Sequence, residues 1–420
     1  MTWRSLHTLA FAGCWIALAA CQLTRLAAED DPPANSDASV EYISADSPTG
    51  EARAVVVDGH PLVHTRQFLP LDSEGKLVGE GSADEQIEQV LTNLSAVLEN
   101  ADSGLDQLVR LNIYALSHET ADRLRDQLTG RIDAAVCPAM TTILTPLPHR
   151  KALVAVDAVA YASGGSDAVT LARCEEVAGE QDCADVGVLP PGGVAYLSGQ
   201  PEQGGLAASA VTQSLSILLD RLKPLNLSSK DVVRLKVFLK PASSADAALR
   251  EIKRLFPGQL TPPVVFVEWI ASVPVEIELI ARLPLADQSQ DTVEYYNPPG
   301  LKASPAFSRV ALVHTERQIY ISALCGRDAG NGETQARDVF EQLDSILAET
   351  GSDIRHLAKA TYYVSEDDGS RGIDILRREV FDPERPPAAS KVTVHAVGRP
   401  DRNLSIDMIA VGTEAQRRNR

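Results

Sequence analysis

The sequence lacks the features that mark integral membrane proteins and nucleic-acid-binding proteins. Its apolar run at residues 9–20 is shorter than the roughly 20 residues that a membrane-spanning helix needs. Aromatic residues make up only 5% of the chain, and no run of Lys and Arg is interleaved with them. The 420 residues carry a formal net charge of −18, and such a surface repels phosphate backbones and anionic headgroups. We therefore expect no nucleic-acid partner.

Signatures of cofactor and metal sites are missing as well. The sequence contains no phosphate-binding loop ending in GK[ST] and no G-x-S-x-G nucleophile elbow. His60 and His64 are four residues apart, but Pro61 lies between them and opposes the helix that would place both on one face. The other histidines are scattered singly. We therefore expect no cofactor and no metal.

Residues 1–21 have the pattern of an export signal. Arg4 gives a short basic start, and residues 9–20 form an apolar stretch that suits a signal sequence. The stretch ends in Leu18-Ala19-Ala20-Cys21, which resembles the lipobox of bacterial lipoproteins. The alternative is an ordinary secretory signal that happens to contain a cysteine. In both cases we expect an exported protein.

A lipobox would make Cys21 the lipidated residue and the membrane anchor. Gln22 at the next position favours the outer membrane over the inner one, so we expect a periplasmic protein or an outer-membrane lipoprotein. Residues 22–40 are rich in Asp, Pro and Ser and are predicted to form a flexible tether.

Two cysteines are close enough in sequence to form a local disulfide. Cys174 and Cys183 lie in one segment, RCEEVAGEQDC, and an exported protein can hold disulfides. A bridge between them is therefore predicted, with two free thiols as the alternative. The spacing is not that of a zinc site.

The chain repeats itself three times, and this is its most informative feature. Three amphipathic helical stretches recur, DEQIEQVLTNLSAVLEN, ASAVTQSLSILLDRL and TQARDVFEQLDSILAET. Each is followed by a strand, a proline-led segment and a strand that carries an acid, the last being ALVAVDAVA, VPVEIELIA and NLSIDMIAV. The prolines Pro138, Pro262 and Pro387 recur at intervals of 124 and 125 residues. The repeat predicts an α+β protein of three β-β-α-β-α-β units at residues 41–163, 164–286 and 295–413.

The order of these motifs resembles the Rid family, also called the YjgF or reactive intermediate deaminase family. The middle unit carries VAYLSGQ, the amphipathic helix, VVRLKVFL and VEIELIA, and the third carries RQIYISAL and LSIDMIAVG. The resemblance implies a chorismate-mutase-like fold that usually assembles as a trimer with a cleft at each boundary. Three linked units are then expected to form a pseudotrimer within one chain, and such a chain is expected to be monomeric.

The same resemblance predicts where the chemistry should lie. Active members hydrolyse imines or enamines without a cofactor, and an arginine in Pro-Ala-Arg-Ser clamps the substrate carboxylate. The aligned residues here are Met140, Val264 and Ala389, which cannot do so. The acid of the last strand is kept as Asp157, Glu278 and Asp407, and these are the candidate catalytic residues.

The remaining binding candidates are polar residues near the expected clefts. Ser198 and Gln200 belong to the Ser-Gly-Gln motif of the middle unit, which reads Ser322-Ala323-Leu324 in the third unit and roughly Thr65-Arg66-Gln67 in the first. Arg66 is the best candidate for a replacement cation, although we favour its being a solvated surface arginine. Cys137 and Cys325 are also expected near the clefts.

These observations predict an exported, divergent Rid-family protein that binds a small ligand or serves as a scaffold. The alternative is an imine or enamine deaminase-type hydrolase with an altered site or substrate. A small molecule is the expected partner, and the membrane is expected to be reached only through the N-terminal lipid.

Overall fold

The computed structural model describes residues 38–44, 50–285 and 291–413. The predicted signal segment, with Cys21 and the lipobox, lies outside the described residues, as does the predicted tether up to residue 37. None of the helices in these ranges is long and apolar enough to cross a membrane.

Each third of the chain contributes three strands, a helix, a strand, a second helix and then further strands. The first third contains β1 Ser39–Ser44, β2 Ala52–Asp58, β3 Leu62–Thr65, α1 Ala83–Glu99, β4 Leu108–Ala115, α2 His118–Thr129, β5 Ala139–Leu144 and β6 Val154–Tyr161. The second contains β7 Thr170–Ala172, β8 Val186–Leu189, β9 Gly193–Glu202, α3 Ala210–Leu222, β10 Val232–Leu239, α4 Ala245–Lys253, β11 Val264–Glu268 and β12 Val275–Leu283. The third contains β13 Val293–Tyr296, β14 Val310–Val313, β15 Gln318–Leu324, α5 Gly332–Glu349, β16 Leu357–Val364, α6 Asp367–Val380, β17 Ala388–Thr393, β18 Ala396–Val397 and β19 Leu404–Val411.

The strands form three sheets that exchange their first hairpins in a circle. The first sheet has the order β7-β8-β3-β6-β4-β5-β18, the second β13-β14-β9-β12-β10-β11, and the third β1-β2-β15-β19-β16-β17. The first two strands of each third of the chain therefore belong to the sheet of the preceding third. The N-terminal strands β1 and β2 pair with β15 near the other end of the chain. This pairing closes the ring of three units and confirms the predicted single-chain pseudotrimer.

A shared irregularity shows that the three units are equivalent in backbone as well as in sequence. Register shifts occur between Leu108 and Arg110, between Val232 and Arg234, and between Leu357 and Lys359. Each shift therefore comes directly before the basic residue of the strand. The repeat interval read from the sequence thus corresponds to a matched position in all three sheets.

The helices cover the outer faces of the sheets because each carries an apolar stripe. In α1, Ser82 caps the first turn by accepting a hydrogen bond from the Glu85 amide. Its predicted stripe is buried in the core of the first unit, at Ile87, Val90, Leu91, Leu94, Val97 and Leu98. The inner faces of the three sheets pack on one another around the axis, where residues from all three units form one cluster, including Val55, Val109, Tyr196, Val233, Tyr320 and Ala358. Packed side chains therefore fill most of the space around the axis.

Candidate functional site

The three acids predicted from the repeat lie near the axis and are paired across the units. Asp157, Glu278 and Asp407 are buried on β6, β12 and β19. Their partners are Arg234 Nη2 at 2.8 Å from Asp157 Oδ2, Lys359 Nζ at 2.6 Å from Glu278 Oε2, and Arg110 Nη1 at 2.6 Å from Asp407 Oδ1. Each basic side chain comes from a different sheet than its acid. The six side chains therefore form a closed circle of ion pairs, which we call the axial ring.

Hydroxyl and amide groups satisfy further oxygens of the axial acids. Asp157 accepts hydrogen bonds from the Asn112 amide at 2.8 Å and from the Tyr114 hydroxyl at 2.6 Å. The Thr141 hydroxyl donates to Asp407 at 2.9 Å. Buried charges are stable only when they are paired and hydrogen-bonded in this way. We conclude that these acids hold the units together, and their catalytic role stays a prediction.

Glu278 shows the same structural role. Its Oε2 accepts from Lys359 and, at 2.7 Å, from the Ser390 hydroxyl. Burial alone would raise the pKa of Glu278, but Lys359 and Lys236 outweigh burial and keep the pKa below its ordinary value. The partner of the acid on β12 thus comes from the next unit along the chain, where the local sequence around Glu278 could not reveal it.

The register of the penultimate strands supports the alignment of the three proline-led segments. Met140 lies opposite Leu111, Val264 opposite Leu235, and Ala389 opposite Ala360. The Met140 amide donates to Ser322 Oγ at 2.9 Å, and the Ala389 amide donates to Ser198 Oγ at 2.7 Å. The hydrogen bonds to Ser198 and Ser322 therefore join neighbouring units at two of the boundaries.

The boundary between the first and third sheets holds an open cleft of about 410 Å³, which we call the Met140 cleft. Met140 and Ser322 line its floor, and Arg53, Arg125, Arg399, Cys325 and Ser405 also line it. Its volume lies in the range of small-molecule sites.

The arginines that line the Met140 cleft outnumber its two carboxylates, Glu51 and Asp122, by one. Arg125 donates to Asp122 at 2.5 Å and to the Thr142 hydroxyl at 2.6 Å, while its Nε is buried without a partner in the described part of the chain. Arg399 is exposed at the cleft, and no hydrogen bond or ion pair holds its side chain within the described ranges. This guanidinium is therefore available to an anion.

The boundary between the second and third sheets carries a buried carboxyl group instead. Glu276 is 7% exposed, and burial raises its pKa to about 7, with the Ser390 hydrogen bond opposing and the Glu278 charge adding to the rise. We call this boundary the Glu276 cleft, after the cleft that the family resemblance predicts at each boundary. A Cβ on Gly199 would lie 1.8 Å from Glu276 Oε1, so only glycine leaves room for the carboxyl group. This glycine belongs to the intact Ser-Gly-Gln motif.

Glu276 is the residue that the sequence reasoning overlooked. It lies opposite Phe238 in the register, and the matching positions are Ala155 opposite Tyr114 and Ser405 opposite Tyr363. An acid at this position therefore occurs in one unit of three, whereas Glu278 has an acidic counterpart in every unit. Because the acid at Glu278 is repeated in all three units, the repeat predicts Glu278 and not Glu276. The alternation of Glu276 and Glu278 on one strand was the sequence signal that could have revealed Glu276.

Gln200, the other polar residue of the motif, faces helix α3. Its Oε1 accepts from Arg221 Nη2, and its Nε2 donates to Glu202 at 2.7 Å. Burial, with the nearby Arg309 charge, lowers the pKa of Arg221 to about 10. Gln200 thus anchors the helix to the strand and does not reach the carboxyl group of Glu276.

The boundary between the first and second sheets carries an apolar side chain, Phe68, where the second unit has Gln200. Phe68 is buried and pairs with Val156, at the position where Gln200 pairs with Ile277 in the second unit. The Gln67 amide donates to the Val264 carbonyl at 3.2 Å. This boundary has Ala155 in the place of Glu276, so it offers neither an acid nor a cation from these positions.

Arg66 does not supply a cation to that boundary. Its Nε lies 2.5 Å from Asp185 Oδ1, its Nη2 donates to the Ala178 carbonyl, and its guanidinium stacks over Phe68 at 4.5 Å. The backbone hydrogen bond of Arg66 corresponds to that of Ser198 in the second unit. The sequence alignment had placed Thr65 at that position, so the motif begins one residue later in the chain than predicted. Arg66 therefore holds the loop before β8 and is not a free ligand-binding group.

The predicted bridge between Cys174 and Cys183 is not formed, and both residues are free thiols. The segment between them is held by Asp185, which accepts from the Cys174 amide at 2.9 Å and from Arg173 at 2.8 Å. Cys325 lines the Met140 cleft as expected, and burial raises the pKa of its thiol. A thiol with a raised pKa is a weak nucleophile.

Matched sheets, exchanged hairpins and boundary clefts define a trimer-type fold of the YjgF class built within one chain. The family model described as Endoribonuclease L-PSP matches residues 53–162 and 300–412. The chain therefore belongs to this family, which includes the Rid and YjgF proteins. The two matched ranges show that the family unit is repeated within the chain.

Known relatives each match about one unit or less. A RutC family protein of Synechocystis sp. is 27% identical over 123 residues, which is 29% of this chain and 93% of that protein. Protein HMF1 of Saccharomyces cerevisiae is 40% identical over 53 residues, which is 13% of this chain and 40% of HMF1. Among solved structures, a YjgF family member from Neisseria meningitidis is 23% identical and covers 30% of this chain and all of its own, with a TM-score of 0.23.

Proposed function

We propose that this chain is an exported Rid-family protein that binds one small carboxylate ligand in the Met140 cleft and does not turn it over. The observation that carries the proposal is the separation of two groups that a hydrolase of this class would need together. Arg125 and Arg399 lie at the Met140 cleft, whereas the carboxyl group with a pKa near neutrality, Glu276, lies at the next boundary.

Guanidinium groups favour a carboxylate ligand because their planar fork can donate two parallel hydrogen bonds to it. Arg399 has a free guanidinium, and Arg125 has a buried Nε–H to satisfy. The volume of the cleft, about 410 Å³, accommodates a small ligand.

We base the proposed absence of turnover on the residue that replaces Glu276 at this cleft. Ser405 lines the Met140 cleft at the position of Glu276, and an unassisted hydroxyl does not act as a general base near neutral pH. Met140 stands where the family resemblance places the substrate-clamping arginine, so cations from α2 and from the loop before β19 would hold the ligand in a different orientation.

The lipobox-like segment ending at Cys21 supports export, and the exchange of hairpins supports a monomeric chain as the working unit. The net charge of −18 supports the view that the ligand is a small molecule and not a nucleic acid. In this proposal the membrane is reached only through an N-terminal lipid.

The alternative is an imine or enamine hydrolase that works at the Glu276 cleft with a substrate lacking a carboxylate. The pKa of about 7 for Glu276 favours it, because general acids and bases work best near the ambient pH. This alternative predicts ammonia release from uncharged imines, and release that disappears in Glu276→Gln.

Titration calorimetry with 2-oxobutanoate, a stable analogue of an imino acid, tests the proposal. We expect one site per chain and a loss of affinity of at least roughly tenfold in Arg399→Gln, because a charge-assisted hydrogen bond contributes about 1.5–3 kcal/mol. Arg378→Gln, which changes an exposed arginine on α6, is the matched control and should bind as the wild type does. Equal binding by Arg399→Gln, or rapid ammonia release from 2-iminobutanoate, would contradict the proposal.

A further inference from the structure

A small cavity lies on the axis, inside the axial ring. Its volume is about 50 Å³, and a water molecule needs only about 10–15 Å³ on this measure. Residues of all three units line it at matched positions, so it belongs to no single unit. It is distinct from the Met140 cleft and the Glu276 cleft, which lie at the boundaries.

The cavity carries one cation more than its acids can pair. The three ion pairs of the axial ring are complete among themselves. Lys236 lines the cavity as a fourth cation, 7% exposed, and it forms no ion pair of its own within the described part of the chain. Its hydrogen-bond partner is the Tyr363 hydroxyl at 3.2 Å. Asn112 and Thr361 stand at the same register position in the other units, so the surplus charge is particular to the second unit.

Hydrogen-bond donors around the cavity also lack partners. Both ring nitrogens of His64 and the Nε–H of Arg110 are buried and unpartnered in the described residues, whereas Asn112 Oδ1 is a buried acceptor without a partner there. Burial, with Arg234 and Arg110 nearby, lowers the pKa of His64 to about 3, so its ring is neutral and one nitrogen carries a hydrogen. Lys236, Arg110 and His64 thus offer three donors toward one small space.

We propose that this cavity is a binding site for one monatomic anion, a halide such as chloride, held by Lys236, His64 and Arg110. A halide can only accept hydrogen bonds. Its single negative charge would pair with Lys236, the cation that has no acidic partner of its own in the described residues. A cation is disfavoured by the net positive lining, and polyatomic anions such as sulfate are too large for the cavity beside the side chains and any accompanying water.

The anion would act as a shared ligand that stabilises the closed ring. An unpaired buried charge is costly, and burial lowers the pKa of Lys236 while Asp157 and Glu278 oppose that change. An anion that binds only the folded chain adds to its stability by mass action. Stability should therefore depend on halide concentration at constant ionic strength.

The test compares protein prepared without halide with protein prepared in bromide. Crystals grown in bromide should show an anomalous peak within the axial cavity of the wild type. In solution, the midpoint of thermal unfolding should rise by a few degrees when bromide or chloride replaces gluconate at equal ionic strength. Lys236→Thr, which introduces the residue of the third unit, should lose both the peak and the halide dependence. Lys230→Thr changes an exposed lysine and should keep both.

Three results would overturn the proposal. One is an axial cavity that holds water alone in bromide-grown wild-type crystals. Another is an axial peak that persists in Lys236→Thr without any effect on unfolding, which would indicate an adventitious ion only. The third is equal unfolding midpoints for the wild type in gluconate and in halide, a measurement that decides the matter even where Lys236→Thr fails to fold.

Discussion

Lys359 and Glu278 are 81 positions apart in the chain, yet Lys359 Nζ lies 2.6 Å from Glu278 Oε2 in the interior. The lysine belongs to the third sheet and the acid to the second, so this contact exists only when the two units are docked. Together with the pairs Arg110–Asp407 and Arg234–Asp157, it makes the boundary between units depend on buried charge.

Removing one partner of this pair should be strongly destabilising. We expect Lys359→Met to lower the free energy of unfolding by roughly 3–5 kcal/mol, because it leaves a buried carboxylate without its cation. The double change Lys359→Met with Glu278→Met should recover most of that loss. Urea denaturation followed by fluorescence measures both. Lys223→Met removes the exposed pair with Asp220 and should cost no more than about 1 kcal/mol. Equal losses in the single and double variants would show that the pair is not coupled.

Deleting the N-terminal hairpin should open the ring. Strand β2 buries Ala54, Val55, Val56 and Val57, and each fully buried valine contributes roughly 1.5–3 kcal/mol. A chain that begins at Pro61 exposes the edge of β15, so we expect it to aggregate or to form larger assemblies. Light scattering after size-exclusion chromatography detects this outcome. A chain that begins at residue 38 keeps the hairpin and should remain monomeric. A monomeric, equally stable Pro61 chain would argue against ring closure.

The buried carboxyl group of Glu276 should make stability depend on pH. Its folded pKa of about 7 lies above the ordinary value of 4.5, so the folded chain binds the proton more tightly than the unfolded chain does. The resulting stabilisation is complete below pH 4.5 and is lost as the pH rises toward 7. At 1.36 kcal/mol per pKa unit, the loss is at most roughly 3 kcal/mol.

Glu276→Gln isolates this contribution because the amide does not titrate. We expect the wild type to lose stability relative to Glu276→Gln between pH 4.5 and pH 7, as measured by urea unfolding at several pH values. A constant difference between the two proteins across that range would show that the carboxyl group is not perturbed.

Restoring an arginine at Ala389 should give the Glu276 cleft a carboxylate clamp. The Ala389 amide donates to Ser198 Oγ at this boundary, so an arginine at residue 389 starts from the strand that borders it. We expect Ala389→Arg to release ammonia from 2-iminobutanoate faster than the wild type does. Ala389→Lys is the matched control, since an ammonium group lacks the planar fork and should restore less activity. Equal rates in all three proteins would show that the missing guanidinium is not what limits the reaction.

The sequence predicted the repeated units, their element order and the alignment of Met140, Val264 and Ala389, because each depends on local periodicity. It could not predict that β1 and β2 pair with β15, since a strand pattern indicates which face is buried but not which strand lies alongside. The pairing of Asp157 with Arg234 was hidden for the same reason. Glu276 was overlooked because its position is unmatched in the other units, where Ala155 and Ser405 stand.

The joining of three units in one chain also explains how the three boundaries could diverge. In a homotrimer one substitution appears at every boundary, but here Phe68, Glu276 and Arg399 each serve one boundary alone. The axial ring stays nearly symmetric because all three units need it to dock. The clefts are free of that constraint.

A crystal structure of the full chain with 2-oxobutanoate tests the central claim most directly. We expect one ligand per chain, in the Met140 cleft, with its carboxylate within hydrogen-bond distance of the Arg399 guanidinium, and no ligand beside Glu276 or Phe68. Ligand at the Glu276 cleft, or at all three boundaries, would contradict the division of cation and acid between separate clefts.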